Sequence, residues 1–274
     1  MEEAVRAPSL IRKKHTRTLL KLTMPVLIVI AWLITTEFDL IPPLFVPGIP
    51  EMLRALDALA PLLPGAILTT VLMTLTGFLI GTAFGALSGL VMAYSPAIRD
   101  LLGSIFDFLR PVPVFALIPL FILWFGIGRM PQIVLIALGT SVVLGVTTLE
   151  AIRNVPTIYV RAALTLGADR TAIYRTVIVP YIIPHLIGAI RVAAAASWGL
   201  DVAAEFMGSQ QGLGYLIILQ QTFLRTAGII LLVIVYSILA LVFDRLIASL
   251  ESRITRWTER HVVRGVVGSI VGMG

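Results

Sequence analysis

Six apolar stretches separated by short charged segments organise the chain. The first runs from Leu22 to Thr36, between Lys21 and Glu37. It is short of the roughly 20 residues that cross a bilayer, but Leu19 and Leu20 extend it while Lys21 snorkels. The second is unbroken, with no charge from Gly65 to Ile98. That exceeds one crossing, so part of it must tilt or project. The third, Pro111 to Gly128, is proline-rich, and Pro111, Pro113 and Pro119 predict a break or bend. The fourth is Pro131 to Leu149, the fifth Pro184 to Phe206 and the sixth Thr226 to Phe243. No alternating ten-residue pattern appears, so helices and not a β-barrel are expected.

Charge gives the spans a direction. Arg6, Arg12, Lys13, Lys14, Arg17 and Lys21 precede the first span. With six crossings the same side receives Arg99, Arg110, Arg153, Arg161, Arg170 and Arg175, then Arg245, Arg253, Arg256, Arg260 and Arg264. The opposite side keeps Arg54, Arg129 and Arg225, and holds Glu37, Asp39, Glu51 and Asp57. Positive residues stay inside, so both termini are expected in the cytoplasm. The basic tail imitates a signal peptide, but it lacks a clear small-residue cleavage pattern, which predicts an uncleaved first span.

Composition agrees with lipid as the solvent. The 274 residues are 58% hydrophobic and 13% charged, with a mean hydropathy of +0.99, where a soluble domain is about half apolar and a quarter charged. The net charge of +6 suggests nucleic acid only until the basic residues are placed beside apolar segments. There is no cysteine, so disulfides and thiolate sites are excluded. All three lysines lie at or before Lys21, so no later glycine-rich turn can be a lysine-bearing P-loop. His15, His185 and His261 form no zinc-protease frame, and no nucleophile elbow occurs. The external segments are too short for a ligand-capturing domain.

The longest internal connection, Glu150 to about Pro184, is not a bare linker. Arg161 to Leu166 are mostly helix formers, Gly167 is a natural helix stop, and a second short helical run follows. Two short helices at a glycine corner make a knob. Arg161, Ala162 and Ala163, then Gly167, then Val177, Val179 and Pro180 stand at the spacing of the loop pattern of bacterial ABC-importer permeases: E-A-A, three residues, G, nine residues, I, one residue, L-P. Arg161 replaces the glutamate, which puts the role of that acid in doubt and leaves the corner intact. Further stretches point to the nitrate, sulfonate, taurine and bicarbonate branch. They are Arg110 to Pro113 with Leu117 to Leu120, Trp124 to Gly128, and Ala203 to Glu205 with Gly212 to Tyr215. The chain resembles that branch from about Gly65 to Leu250.

The resemblance implies an all-α integral membrane protein with six transmembrane helices and the type I, methionine-permease-like importer fold. Residues 1–62 would hold the N-tail, first helix and external segment, 63–250 the permease domain with its coupling loop at 150–184, and 251–274 a cytoplasmic tail. In the family the loop is the coupling helix, seated in a groove of the ATP-binding subunit, so Arg161, Ala162, Ala163, Leu166, Gly167, Ala168, Asp169 and Pro180 are expected to meet that subunit. The implied partners are two ATP-binding cassette subunits, a second permease copy, an external solute-binding protein and the bilayer, with no nucleic acid. The partners would bind ATP and Mg; this chain would hold no cofactor or metal and catalyse nothing. The expected location is the bacterial inner membrane. The expected cargo is a small solute such as a sulfonate, taurine, nitrate or bicarbonate, carried by alternating access.

Within the spans, several residues invite a pathway or gate role. Arg191 either serves an anion path or snorkels to the surface. Asp201 and Glu205, four apart on one helix face, read as gate or structural residues near the external end. Gln211 lies in the external turn Gln210 to Gly214, which either contacts a binding protein or merely loops back. Gly77, Gly81, Gly85 and Gly89 form a small-residue stripe for packing within the chain, or for a dimer seam or sliding surface. The tail after Thr258 carries no assigned role. A stand-alone secondary transporter or channel is the principal rival, and a non-transporting scaffold the second. The first expects inverted repeats with broken midplane helices, and no convincing pair is found.

Overall fold

The computed structural model describes residues 10–254, with side chains from Thr23 onward. The side chains of the basic N-tail residues and the tail after Ile254 lie outside that description. Contacts divide the chain into two units. One runs to Leu62 and includes Leu219–Val233; the other begins at Leu63, runs to Ile218 and resumes at Ile234.

The first unit holds α1 (Leu10–Glu37) and α2 (Ile49–Leu59). The loop between them is pinned where the Trp32 indole N–H donates to the Pro47 carbonyl at 3.2 Å. Gly48 and Pro50 start α2, since proline in a first turn forfeits a bond the helix would not make. Glu51 and Arg54 pair at 2.6 Å on its polar side, while Ile49, Leu53 and Leu56 stand exposed. This amphipathic helix was hidden in the short external segment. The same unit takes in the turn between α10 (Leu213–Thr222) and α11 (Thr226–Ile254), where the Thr226 hydroxyl donates to the Leu44 carbonyl.

The second unit is built on two helices in close contact. Along α3 (Leu63–Tyr94) every fourth residue from Gly77 to Gly89 meets α6 (Arg129–Arg153). A β-carbon on Gly77 would lie 2.7 Å from Ile136 Cβ, on Gly81 1.9 Å from Thr140 Oγ1, on Gly85 2.4 Å from the Ser141 carbonyl, and on Gly89 2.5 Å from Thr148 Cβ. Partner numbers rise with glycine numbers, so α3 and α6 run parallel. Lipid gives helices no hydrophobic reason to associate, so close approach of backbones holds the pair. Hydroxyls in this seam bond within their own helix: Thr140 donates to the Ile136 carbonyl at 2.8 Å and Ser141 to Leu138 at 2.8 Å. The Thr148 hydroxyl, against Gly89, is buried without a hydrogen-bond partner among the described residues.

Parallel neighbours require the intervening chain to return. The second span stops at Tyr94, four residues short of its charge-free limit, because Ser95 precedes a proline and is extended at φ −122° and ψ 118°. Ser95 then caps α4 (Pro96–Leu109). The expected third span, Pro111 to Gly128, is a short helical turn at Val114–Leu117 followed by α5 (Ile118–Phe125), and it reaches spanning length only together with α4, from which it is bent by 91°. Phe106 of α4 sits against Gly145 of α6 and Ile122 of α5 against Gly208. Gly139 meets Leu200, and the Gly128 amide donates to the Gly208 carbonyl at 3.0 Å, so α9 (Val179–Gly208) runs antiparallel to α6. Among the described residues four helices are long and apolar enough to cross a membrane, the bent pair makes a fifth candidate, and Thr23–Glu37, at the place of the expected first span, is a shorter apolar helix. Edge-on aromatic contacts join α3, α9 and α11: Phe78 to Phe243 at 5.5 Å, Phe243 to Trp198 at 5.9 Å and Trp198 to Tyr236 at 5.4 Å.

Candidate functional site

Between α6 and α9 the chain forms the expected helical corner. Pro156 opens α7 (Thr157–Thr165), and Asp169 caps α8 (Arg170–Ile173), its Oδ1 accepting from the Ala172 amide at 2.7 Å. At the corner the Ala168 amide donates to the Ala163 carbonyl at 3.0 Å and the Gly167 amide to Leu164 at 3.0 Å. Gly167 takes φ +80°, the left-handed value that closes a helix end. Its missing side chain leaves open space, with nothing within 4 Å of a β-carbon there. Glycine is therefore required here for conformation and not for room.

The underside of this knob is packed. Ala163, Ala168 and Val177 rest on a cluster of Val155, Ile173, Ile178 and Ile182. Arg170 clasps the end of α3: a guanidinium N–H donates to the Tyr94 carbonyl, and its Cζ lies 4.3 Å above the Tyr94 ring. A cation at a helix C-terminus meets carbonyls that lack partners. The upper side is bare: Leu166 is 86% exposed, and Ile158, Tyr159 and Leu164 are exposed around it. Arg161 and Ala162 stand on the same open side, with no ion pair to Arg161 among the described residues. Pro180 falls in the first turn of α9, after one wide turn at Tyr174–Ile178.

The pathway candidates are not gathered in one place. Arg191 forks onto Asp244 of α11, with Nε and Nη2 donating at 2.7 and 2.9 Å, and Glu251 lies 3.8 Å away. Such a bidentate pair fixes geometry as well as charge. Asp201 is 0% exposed, and its Oδ2 lies 2.8 Å from the Tyr236 hydroxyl, which also reaches the Trp198 carbonyl at 3.0 Å. One hydroxyl proton serves both acceptors. Asp201 Oδ1 and the nearby Thr74 hydroxyl are buried without hydrogen bonds of normal geometry.

Glu205, one turn along and 1% exposed, holds the turn Gln210 to Gly214. It accepts from the Thr70 hydroxyl at 2.7 Å and from the Gly214 amide at 2.5 Å, while Thr70 Oγ1 accepts from the Leu213 amide at 2.9 Å. A carboxylate and a hydroxyl borrowed from α9 and α3 thus satisfy the opening amides of α10, which have no partners inside that helix. Gly212 wraps the carboxylate at φ +105°, and a β-carbon there would lie 2.0 Å from Glu205 Oε1. Gln211 faces outward, its Oε1 3.4 Å from Arg129 Nη2. Gln132 was missed in the sequence: it is 1% exposed, and neither amide atom has a partner. A lone glutamine in an apolar span was the available signal. Among the described residues no three His, Asp or Glu side chains are grouped to hold a metal.

Comparison with known proteins follows the same lines. The family described as binding-protein-dependent transport system inner membrane component matches residues 81–256. The taurine transport system permease protein TauC of Escherichia coli is 31% identical over 245 residues, covering 86% of this chain and 88% of that protein. A putative aliphatic sulfonates transport permease of Bacillus subtilis is 31% identical over 185 residues, 68% of this chain and 67% of that one. Among solved structures, the inward-facing MetNI methionine ABC transporter aligns with a TM-score of 0.55 at 20% identity, covering 67% of this chain and 94% of that chain. An amino acid ABC transporter aligns at 0.62 and 19% identity, covering 73% and 97%.

Proposed function

The chain belongs to the family of binding-protein-dependent transport inner-membrane components, the non-catalytic permeases of ABC importers, and from that premise we propose that it carries a small anion of the sulfonate or taurine type. The names of its relatives support that solute class; nitrate and bicarbonate share the single negative charge. Two copies of the chain would enclose the path, two ATP-binding subunits would supply ATP and Mg, and an external binding protein would deliver solute. The charge distribution supports cytoplasmic termini, with α3 and α6 running from the outside inward and the knob on the inner face.

The observation that carries the reading is the bare apolar tip at Leu166 above a packed, clasped base. An exposed leucine surrounded by Ile158, Tyr159 and Leu164 is an anchor for a partner's groove. Closure of the ATP-binding subunits would draw two such knobs together and open the path outward; hydrolysis would reset it. Arg191, tied to Asp244, then braces α9 against α11, and Glu205 secures the external turn for the binding protein.

The test is purification of the tagged chain from its native membrane, with an ATPase assay on the eluate. A co-purifying P-loop subunit and solute-stimulated hydrolysis are expected, with both reduced by Gly167→Leu while the chain stays folded. A pure chain without ATPase that still moves sulfonate into liposomes would show that it works alone.

A further inference from the structure

A cavity of about 450 Å³ lies between α4, the last turns of α6 and the end of α3. Its floor is apolar and buried, formed by Met92 and Phe106 among others. Phe106 is seated by a glycine: a β-carbon on Gly145 would lie 2.2 Å from Phe106 Cε1. The rim is charged, and three arginines reach it, Arg99, Arg110 and Arg153. None is saturated. Arg99 stands 4.0 Å from Asp100 and Arg110 3.6 Å from Glu150, both longer than the ~2.8 Å of a full charge-assisted bond. Arg153 has no ion pair among the described residues.

An apolar floor under a rim that carries three arginines beside the carboxylates of Asp100, Asp107 and Glu150 selects by both ends of a ligand. A bare inorganic anion leaves the floor uncovered, and an apolar molecule leaves the arginines unanswered. A tetrahedral oxoanion on a short carbon stem meets both, since each guanidinium presents paired donors to oxygen. The volume suits small ligands. We propose that this cavity binds a short organosulfonate, its stem on Met92 and Phe106 and its oxygens on Arg99, Arg110 and Arg153. The inference rests on the solute class proposed above and adds a site for it at the end of the fold that carries the knob. Asp107 and Glu150 on the same rim give an amino group a place, so an aminosulfonate fits as well as a simple alkyl one. Arg153 is the last residue of α6, and the chain passes from it through Asn154, Val155 and Pro156 into α7. Solute bound here touches the helix that leads directly into the knob.

The full chain in lipid nanodiscs should be titrated calorimetrically with ethanesulfonate, taurine, sulfate and ethylammonium. Ethanesulfonate and taurine are expected to bind, and sulfate and ethylammonium, each of which meets only part of the cavity, more weakly. Two variants locate the site. Arg153→Ala removes the unpaired cation. Gly103→Leu fills the cavity from the α4 side, where a β-carbon would meet only Arg99 Cγ at 3.9 Å, and leucine favours helix over glycine. Each should weaken ethanesulfonate by about tenfold or more, or about 1.4 kcal/mol. Unchanged affinity in both variants places the sulfonate elsewhere and overturns the proposal. So does equal binding of sulfate, preferential binding of ethylammonium, or no binding of any probe. Because these measurements use the chain alone, their failure leaves the ATPase co-purification test standing, and failure of that test leaves these readable.

Discussion

At Gly81 a β-carbon would lie 1.9 Å from Thr140 Oγ1 and 2.3 Å from the Ala137 carbonyl, whereas at Gly167 it would meet nothing within 4 Å. The seam between α3 and α6 uses glycine to remove volume, and the knob uses it to reach φ +80°. In the seam the backbones are the surface that packs, so any added atom meets main chain that cannot rotate away. At the knob the space left open is the surface a partner would occupy. One residue type therefore removes volume in one region and sets a left-handed backbone turn in the other.

The same substitution at the two places separates them most sharply. Gly81→Leu is expected to abolish the folded chain, at a cost above about 3 kcal/mol, read as loss of the monodisperse peak in detergent chromatography. Recovery of normal folded protein would mean that the seam opens readily. Glu205→Ala comes next. It strands the Gly214 amide and the Thr70 hydroxyl in a buried site, at about 2 kcal/mol, and should lower the midpoint of thermal unfolding. Glu205→Gln keeps an acceptor and should recover part of that loss; equal effects would point to charge and not to hydrogen bonding. Gly167→Leu strains a left-handed residue by about 1–2 kcal/mol and should cost coupling to the ATPase more than stability. Smallest in stability is Leu166→Ser, expected to leave the melting curve in place while weakening retention of the ATPase subunit on washing. A parallel loss of stability there would show Leu166 to be packed and not presented.

Much of this was legible in the residues because the signals were local. Continuous apolar runs marked the long helices, and Gly167 with its flanking helix formers marked the corner. The glycine stripe showed which face of α3 packs close. What it packs against was not legible, because a small-residue face carries no record of its partner; only the rise of contacts from Ile136 to Thr148 shows α6 in parallel. Arg191 read as an anion ligand or a snorkelling cation, and not as half of an ion pair, because its counter-charges, Asp244 and Glu251, lie more than 50 residues on. Glu205 read as either a gate or a structural residue because its acceptor role depends on amides of a turn that must fold back onto it. The extent of α4 and the existence of α2 were missed for another reason. Both are amphipathic helices beside stronger apolar signals, and proline sets their starts.

The grip of Arg170 on Tyr94 gives the knob a mechanical advantage. Tyr94 ends a helix of 32 residues that is locked to α6 along its glycines. At 1.5 Å per residue that helix is about 48 Å long, so a tilt of about 5° imposed at the clasped end carries the far end through about 4 Å. Thr70, which shares its hydroxyl with Glu205 and Leu213, rides near that far end. A small displacement of the knob would thus arrive at the turn Gln210 to Gly214 as a movement wider than a hydrogen bond is long.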